Sequence, residues 1–411
     1  MTEANRRLAI VTTHPIQYYA PWFRWMAANS GIDLKVFYLW DRSASAHRDP
    51  GFGHAVEWDL PLLEGYESEF VPNEAKRPGT DRFRGIRNSK LESRIKAFAP
   101  DAALLIGYRY DSLLRLILTS ERKRGFPLLL RGDSHRLSAQ NAKGEMRKAE
   151  LKEFVRRKAI SAIFRRISGF LYVGKANRDY FRLHGVPEEK LFFAPHAVDN
   201  DRFMGNRDRV QQEAVAWRRE LGISADHLLV LFAGKFEDKK RPLDLLEAFR
   251  FIGRSDVSLL FVGSGKQESE LRNRAASVAN VFFAPFQNQS VMPRTYAASD
   301  LFVLPSYGPE ETWGLSINEA LCLARPVIIS SHVGCGPDLV RQGENGLIFP
   351  AGDVEALPTA LHVALTDPMR LKQWGEAGRK IVSNYNYAAA TGGLLTALEA
   401  VALNCAERAP R

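Results

Sequence analysis

Short apolar runs alternate along the chain with longer segments whose apolar residues recur at helical spacing. In the first half these runs occupy residues 8–11, 33–38, 102–106, 127–130 and 169–173. A second series, after about residue 200, occupies residues 228–233, 257–262, 281–283, 301–304 and 326–329. Such runs are typical of buried parallel strands, and strands that alternate with helices predict βαβ units. The pattern therefore predicts an α/β fold with two doubly wound halves.

The polar stretch 199–219 separates the two series and marks the predicted domain boundary. Two doubly wound domains of similar size predict a cleft between them, with ligands at the carboxyl ends of the strands. The Ala- and Leu-rich stretch 388–401 predicts a closing helix. We therefore predict an N-terminal domain, a C-terminal domain and a closing helical segment, at residues 1–200, 201–382 and 383–411.

Residues 42–90 break the alternation of strands and helices. They are rich in Gly, Pro, Asp and Arg and carry isolated aromatic residues such as Phe52, Trp58 and Tyr66. Long connections of this kind inside a compact domain are usually functional or mobile. We therefore predict a functional or mobile insertion in the first domain.

The composition is that of an ordinary globular protein, because 45% of the 411 residues are hydrophobic and 25% are charged. The net charge is +10, and the excess lies in the first half of the chain. Residues 1–200 hold 34 Lys and Arg against 23 Asp and Glu, whereas residues 201–411 hold 23 against 24. A one-sided positive charge attracts acidic partners. Nucleic acid, an anionic membrane and a phosphorylated substrate are the candidates, beside a plain solvated surface.

Much of this charge lies in residues 143–168, which combine cations with an apolar stripe near helical spacing. The cations are Lys143, Arg147, Lys148, Lys152, Arg156, Arg157, Lys158, Arg165 and Arg166. The apolar stripe comprises Leu151, Phe154, Val155, Ile160, Ile163, Phe164 and Ile167. In one interpretation this basic amphipathic helix binds an anionic membrane. In the other it packs on the core and leaves its basic face in solvent.

Cys322, Cys335 and Cys405 form neither a zinc nor a disulfide pattern, which favours a reducing compartment. No run reaches the roughly 18 consecutive apolar residues of a membrane span. The apolar stretch at residues 8–11 is too short for a secretory signal. We expect a cytoplasmic protein that is at most peripheral on the inner face of the cell membrane.

Residues 305–320 follow a predicted strand and open a predicted helix. Glu311 lies in the loop before the helix, and Glu319 lies about one turn inside it. Gly314 allows backbone N–H groups to approach a ligand closely, and free N–H groups at a helix start suit a phosphate. The two carboxylates are better matched to the neutral hydroxyls of sugar and ribose. The alternative is a capped surface helix with solvated carboxylates.

A second motif begins where a predicted strand ends at Gly234, before a loop flanked by Lys235 and Lys240. Two cations beside a glycine turn would neutralise a leaving diphosphate. Charge stabilisation of this kind is often the largest single contribution to catalysis. The alternative is a lysine-rich loop that is simply solvated.

Together these motifs resemble the retaining GT-B glycosyltransferases of glycosyltransferase family 4. In that family a glycine and a cation open the second domain, a further cation follows five residues later, and two Glu residues stand eight apart downstream. The chain matches this pattern at Gly234-Lys235, Lys240, Glu311 and Glu319. Residues 325–347 match a later part of the family pattern. The match covers about residues 190–360. The resemblance implies two Rossmann-like domains that face each other across a cleft, with a C-terminal helix that crosses back to the first domain.

The chain also departs from the family pattern. Lys235 stands where the family more often has Arg, Cys335 interrupts a usual Gly-Gly pair, and Asp338 replaces a usual Glu. The first loop, residues 13–19, has no glycine where the family usually carries a Gly-Gly pair. That loop and residues 58–66 resemble one bacterial subgroup of polysaccharide-type transferases.

The resemblance assigns donor binding to both motifs and to the strand ends between them. The residues are Gly234, Lys235, Lys240, Gly263, Phe286, Gln287, Glu311, Trp313, Gly314, Leu315 and Glu319. The two lysines and the backbone N–H groups of Gly314 and Leu315 would hold the diphosphate. Glu311 would contact the sugar hydroxyls and Glu319 the ribose. The segment 284–287 would frame the base.

The N-terminal domain resembles the family more weakly. His14 and Gln17 of its first loop would approach the donor in one interpretation and cap the local backbone in another. Asp133 and His135 follow a strand where the family often places an active-site histidine. Either side chain would orient the acceptor hydroxyl or stabilise the sugar cation. The alternative is an ordinary loop histidine with satisfied hydrogen bonds.

The resemblance implies a retaining hexosyltransferase that moves a hexose from a nucleotide-diphosphate sugar to a hydroxyl of a glycan or lipid-linked acceptor, by same-face substitution. The catalytic candidates are Glu311, Lys240, Lys235, His135 and Asp133. No metal or cofactor is expected, because the lysines and helix dipoles would supply the charge that a divalent ion supplies elsewhere. An isomerase or phosphorylase on the same scaffold is the alternative enzyme. A nucleic-acid-binding protein is the third interpretation, suggested by the positive charge. Nucleic acid is not expected as a partner, because no recognition motif accompanies that charge.

Overall fold

The computed structural model of the chain describes residues 6–41, 57–138 and 147–408, without the side chains of residues 147–152 and 404–408. Phe52 of the predicted insertion and Lys143 of the basic segment lie outside these residues. The side chains of Leu151 and Cys405 also lie outside the description.

The described strands form two sheets, and every strand pair in them is parallel. The first sheet contains β1 (Arg7–Thr12), β2 (Asp33–Tyr38), β3 (Glu67–Phe70), β4 (Ala102–Ile106), β5 (Leu128–Gly132), β6 (Gly169–Tyr172) and β7 (Leu191–Phe193), in the order β3-β2-β1-β4-β5-β6-β7. The second contains β8 (Leu228–Ala233), β9 (Val257–Val262), β10 (Val281–Ala284), β11 (Leu301–Leu304), β12 (Val327–Ser330) and β13 (Gly346–Phe349), in the order β10-β9-β8-β11-β12-β13. The predicted pair of doubly wound α/β halves is confirmed.

Helices connect and cover these strands. They are α1 (Ala20–Asn29), α2 (Leu91–Phe98), α3 (Asp111–Leu118), α4 (Glu121–Arg124), α5 (Arg147–Phe164), α6 (Lys175–Leu183), α7 (Asn200–Met204), α8 (Arg207–Glu220), α9 (Pro242–Ile252), α10 (Glu268–Ala275), α11 (Met292–Ala297), α12 (Leu315–Cys322), α13 (Gly336–Leu339), α14 (Ala356–Leu365), α15 (Pro368–Val382) and α16 (Tyr387–Arg408). Because helices lie on both faces of each sheet, the central strands are buried on both sides and read as continuous apolar runs. All six residues of β9 are buried, for example.

The sequence pattern missed three strands, and all three lie at sheet edges: β3, β7 and β13. β3 has the sequence Glu-Ser-Glu-Phe, and its Glu67 and Glu69 pair with Lys35 of the neighbouring β2 at 2.9 and 3.0 Å. Edge strands are short and are often charged, so the apolar-run signal is weak there. β3 also shows that the region 42–90 contributes a strand to the sheet.

The basic segment divides into two parts along α5. Ile160 and Phe164 are buried in the core of the first domain, as the core-packing interpretation predicts. Phe154 and Val155, nearer the start of the helix, are exposed to 54% and 59%. The predicted apolar stripe is therefore a core face in its second half and a surface in its first. None of the described helices is long and apolar enough to cross a membrane.

The closing helix α16 returns to the first domain, as the resemblance implied. It packs against α1, β6 and β7 through Ala390 and Leu394, and Trp22 of α1 donates a hydrogen bond to Thr391 at 3.0 Å. The approach is close at Gly393, where a Cβ atom would lie 1.8 Å from the backbone oxygen of Phe193.

This close approach predicts opposite effects for two adjacent glycines of α16. Gly393→Ala should lower the free energy of unfolding by about 1–3 kcal/mol, because the methyl group forces the helix away from β7. Gly392 has no atom within 4 Å of its Cβ position, so Gly392→Ala should raise stability by roughly 0.5–1 kcal/mol through helix propensity. Denaturant titration of both variants measures the difference. Equal stability of the two variants would contradict the packing argument.

Candidate active site

The loops that follow β8 and β11 meet where the strand order of the second sheet reverses, which is where doubly wound sheets bind ligands. The loops after β1, β5 and β7 of the first sheet face them across a cavity of about 510 Å³. The second domain lines it with Ala233, Gly234, Lys235, Lys239, Lys240, Val262, Gly263, Phe286, Gln287, Gln289, Met292, Tyr296, Glu311, Thr312, Trp313, Gly314, Leu315, Ser316 and Glu319. The first domain lines it with His14, Pro15, Ile16, Gln17, Tyr18, Tyr19, Trp58, Asp133 and His196. All the donor-site residues predicted from the sequence lie on this one cavity.

Backbone packing fixes the loop that carries the two lysines. Gly263, which follows β9, has a φ of +138°, and a Cβ there would lie 2.1 Å from the carbonyl oxygen of Gly234. The backbones of the two strand ends therefore touch, which only a glycine at 263 permits. A short 3-10 helix, Asp238–Lys240, ends the lysine loop and places Lys240 against the cavity.

An ion pair joins this loop to the next one. Lys240 donates a hydrogen bond to the Oε2 atom of Glu311, and the hydroxyl of Ser306 donates to the same oxygen at 2.8 Å. The side chains of Lys240 and Glu311 are only 18% and 11% exposed. A second tie runs through the backbone, since the N–H of Tyr307 donates to the carbonyl of Lys239 at 2.8 Å. The cation and the carboxylate thus reach the cavity as a preassembled pair.

The helix α12 begins at the cavity wall. Gly314 precedes it with a φ of +94°, and a Cβ at this position would lie 2.9 Å from the side chain of Val333. Leu315 and Ser316 form the first turn and line the cavity. The first N–H groups of a helix have no intrahelical acceptor and carry its positive dipole end, so this wall attracts anions.

Glu319, one turn further along α12, is a buried carboxylate that lines the same cavity. The hydroxyl of Tyr296 donates to its Oε2 atom at 2.7 Å, whereas its Oε1 atom has no hydrogen-bond partner among the described residues. Burial raises the pKa of Glu319, against the opposing effects of the Tyr296 hydroxyl, the nearby cation Arg202 and the Tyr18 hydroxyl. A buried acceptor oxygen without a partner on a cavity wall is suited to a hydroxyl donor from a ligand.

The first domain holds the Glu311 loop in place through two contacts. The hydroxyl of Thr312 donates to Asp133 at 2.7 Å, and the Nε2 atom of His135 lies 3.1 Å from the carbonyl oxygen of Glu311. Asp133 lines the cavity, but His135 does not. Burial lowers the pKa of His135. The structure therefore places His135 behind the loop, where its ring supports the backbone of Glu311 and has no direct access to the cavity.

His196, which sequence reasoning missed, occupies the cavity wall beside Asp133. Its Nε2 atom lies 3.6 Å from a carboxylate oxygen of Asp133, and its ring lies 5.6 Å from that of Trp313. Its backbone is held from both domains. Arg131, buried in β5, donates to the carbonyls of the two preceding residues at 2.6 and 2.9 Å, and Asn318 donates to the carbonyl of His196 at 3.2 Å.

The pKa shifts of this pair follow from burial and contact. Burial lowers the pKa of His196, so its ring is neutral near pH 7, although Asp133 opposes the shift. Burial alone would raise the pKa of Asp133. The interactions with His196 and the Thr312 hydroxyl outweigh that effect and hold the pKa of Asp133 below its usual value. The pair thus presents a carboxylate and a neutral imidazole to the cavity.

The remaining predicted residues also line the cavity. His14 and Gln17 of the first loop line it, and the hydroxyl of Thr13 lies 3.0 Å from the ring nitrogen Nδ1 of His14. Phe286 and Gln287 line it as well, and Arg294 donates to the side-chain oxygen of Gln287 at 2.8 Å.

Sequence reasoning also missed one Asp-x-Asp spacing, at Asp199 and Asp201, which is a pattern able to hold a divalent ion. Asp199 caps α7 by accepting a hydrogen bond from the N–H of Arg202 at 3.1 Å. Neither carboxylate lines the cavity described above. Within the described residues, no three His, Cys, Asp or Glu side chains are grouped to share a metal ion. Metal independence of the reaction remains a prediction.

The two facing doubly wound domains, with an anion-attracting wall and paired carboxylates at their cleft, have the GT-B fold. Residues 214–381, most of the second domain, belong to the family described as glycosyl transferases group 1. The resemblance predicted from the two sequence motifs is thereby confirmed over these residues.

Relatives and solved structures agree with this assignment. The chain is 30% identical over 236 residues to the D-inositol 3-phosphate glycosyltransferase of Rhodococcus opacus, a match that spans 54% of this chain and 51% of that protein. It is 25% identical over 405 residues to the enzyme of the same name from Rhodococcus erythropolis, spanning 92% and 84%. Its fold is similar to that of HepE from Anabaena in complex with UDP and glucose, with a TM-score of 0.69, 16% identity and coverage of 96% and 100%.

Proposed function

We propose that this enzyme transfers a hexose from a nucleoside diphosphate sugar to a hydroxyl of a glycan or lipid-linked acceptor with retention of anomeric configuration. One observation carries the proposal: Lys235, Lys240 and the start of α12 converge on a single cavity beside Glu311 and Glu319. Cations and a helix N-terminus suit a diphosphate, and the carboxylates suit hydroxyl groups. The relatives of known activity are glycosyltransferases, which supports the same reading.

Each chemical group of the donor is assigned to the cavity residues that suit it. The diphosphate lies against Lys235, Lys240 and the first N–H groups of α12. The sugar lies toward Glu311, whose carboxylate is already oriented by Lys240 and Ser306. The ribose hydroxyls donate to Glu319, whose Oε1 atom is available on the cavity wall. The base extends toward Phe286 and Gln287.

In the transfer step, the bond between the anomeric carbon and the diphosphate oxygen breaks, and the acceptor hydroxyl bonds to the same face of that carbon. The hydroxyl proton passes to the departing diphosphate, so no enzyme nucleophile is needed. Negative charge grows on the diphosphate as it leaves, and fixed positive groups aimed at that charge lower the barrier. Lys235, Lys240 and the N-terminal end of α12 supply this positive charge, so we propose that no divalent ion is required.

The acceptor enters from the first domain. Asp133 and His196 face the cavity from that side. Thr312 donates to Asp133, and Arg131 donates to the backbone carbonyls of the two residues before His196. A carboxylate with a lowered pKa can accept a hydrogen bond from the incoming hydroxyl and orient it toward the anomeric carbon. We assign the orienting role to Asp133, with His196 beside it and His135 supporting the Glu311 backbone.

We further propose that the protein works in the cytoplasm and rests on the inner face of the cell membrane through α5. Phe154 and Val155 are exposed on this helix next to Arg156, Arg157 and Lys158. Exposed apolar groups among cations match the interface of an anionic bilayer. A lipid-linked acceptor would be presented at such a surface.

The central prediction concerns the source of positive charge. Lys240→Ala should lower kcat by about 100- to 1000-fold, because it removes a cation that stabilises the leaving diphosphate. Glu311→Gln should lower kcat by a comparable factor, because it weakens the hydrogen bonds to the sugar hydroxyls. A chelator of divalent ions should leave the wild-type rate unchanged. The measurement is sugar transfer, or hydrolysis of the donor, with melting temperatures recorded for each variant.

Lys266→Ala is the matched control, since Lys266 is an exposed lysine of the same domain that does not line the cavity. It should leave the rate within about twofold of wild type. Near-normal turnover in Lys240→Ala, or loss of activity on chelation, would contradict the proposed source of charge.

Glu319 should make nucleotide binding depend on pH. The pKa of Glu319 is raised by burial, and ribose hydroxyls donate best to the ionised carboxylate. Nucleotide affinity should therefore fall as the pH is lowered through this raised pKa, and Glu319→Gln should remove that part of the dependence. Calorimetric titration of UDP, GDP and ADP between about pH 5 and 8 measures it. Identical pH profiles for the two proteins would exclude Glu319 from the nucleotide site.

Membrane association should depend on lipid charge. Sedimentation with vesicles of phosphatidylcholine containing phosphatidylglycerol should recover more protein than vesicles of phosphatidylcholine alone, because each surface cation adds about 1 kcal/mol. Replacing Phe154 and Val155 together by Ser should reduce the binding. The control is Phe251→Ser, at a phenylalanine of the second domain that is 74% exposed. Equal binding to both kinds of vesicle would contradict the proposed electrostatic contribution to membrane binding.

A further inference from the structure

We propose that the first domain supplies part of the nucleobase site. Residues 57–66, here called the clamp segment, reach across the cleft, and Trp58 lines the cavity beside Phe286, where the base is proposed to bind. This inference rests on the proposed function and deepens it. It adds a residue that determines donor affinity from the domain opposite the one that carries the nucleotide motifs.

The clamp segment is fixed firmly at its end near β3. The guanidinium of Arg24, on α1, donates to the carbonyls of Pro61 and Glu64, the latter at 3.1 Å. Gly65 has a φ of +82°, and a Cβ there would lie 2.6 Å from the Arg24 side chain. Tyr66 shares a hydrogen bond of 2.6 Å with the hydroxyl of Tyr38 in β2. This end of the segment is therefore part of the first domain.

The other end of the clamp segment is bonded to the second domain. The carboxylate of Asp59 accepts from the backbone N–H of Ser290, at 3.1 and 3.2 Å for its two oxygens, and also from the Ser290 hydroxyl. The side-chain amide of Asn288 donates to the carbonyl of Glu57 at 2.7 Å. A carboxylate and a backbone carbonyl thus dock onto the turn 288–290, which leads into α11.

Trp58 lies between these two docking residues and faces the cavity. Its ring lies 5.9 Å from that of Phe286, at an interplanar angle of 69°. Both rings line the cavity, as does Gln287, which follows Phe286 in the chain. An indole beside an aromatic ring at this position offers the flat apolar surface on which any nucleobase stacks.

This arrangement couples nucleotide binding to the docking of the clamp segment on the second domain. A base that contacts both Trp58 and Phe286 touches both domains at once, so the bound nucleotide stabilises the docked position of the clamp segment. Conversely, the Asp59–Ser290 contact pre-organises the base site before the nucleotide arrives, which lowers the cost of binding.

The test uses the full chain and the binding of UDP, GDP and ADP by calorimetry, followed by the matching monophosphate of the nucleotide that binds most tightly. Trp58→Ala should weaken the diphosphate and the monophosphate by the same factor, about tenfold, which is the order expected for loss of one base–aromatic contact. Trp58→Phe should restore most of the affinity. Lys240→Ala should weaken the diphosphate much more than the monophosphate.

The docking contact is tested by a pair of substitutions with the same change of charge. Asp59→Asn should weaken nucleotide binding about threefold or more, because the bonds to Ser290 are lost or weakened. Glu57→Gln should leave it unchanged, because only the backbone carbonyl of Glu57 is used. Melting temperatures of the unliganded variants show whether each one is folded.

The outcomes separate this inference from the proposed function. If the wild type binds none of the three nucleotides, both are overturned. If the wild type binds but Trp58→Ala binds equally well, the proposed function stands and the inference is wrong. A lower melting temperature in Trp58→Ala with unchanged nucleotide affinity would also contradict the inference, because Trp58 would then contribute only to stability. Equal effects of Asp59→Asn and Glu57→Gln would remove the docking role of Asp59.

Discussion

The ion pair between Lys240 and Glu311 is the contact around which the cleft of the second domain is built. It joins the loops that follow two neighbouring strands, β8 and β11, and both side chains are largely withdrawn from solvent. Removing either partner would leave a poorly solvated charge, so the two loops are tied to one geometry. That geometry sets the position of Gly314 and the start of α12, and with it the anion-attracting wall.

The first domain completes this arrangement from the opposite side. Asp133 accepts from Thr312, and His135 supports the carbonyl of Glu311, so the loop that carries the carboxylate is held from both domains. Asp338, one of the departures from the family pattern, accepts the backbone N–H of Lys175 at 2.9 and 3.1 Å. It thereby joins α13 of the second domain to the start of α6 in the first. The active cleft is a property of the two domains together.

Much of the fold followed from local patterns. Buried parallel strands such as Val257–Val262 are apolar along their whole length because both faces are covered, and that signal needs no tertiary information. The edge strand Glu67–Phe70 gave no such signal, because its polar side chains face solvent or pair with Lys35. The exposed and buried halves of α5 were also indistinguishable in sequence, since Phe154 and Phe164 have the same side chain and differ only in what lies against them.

The sequence by itself assigned Gly234-Lys235, Lys240, Glu311 and Glu319 to one site, because their motifs and spacing resemble a known family pattern and the residues carry complementary chemistry. Only the tertiary structure decided which residues of the first domain join them. It brought His196 and Trp58 to the cavity and turned His135 away from it. The physical reason is that contacts across a domain interface depend on how two separately folded units dock, and no periodicity within either unit records that docking.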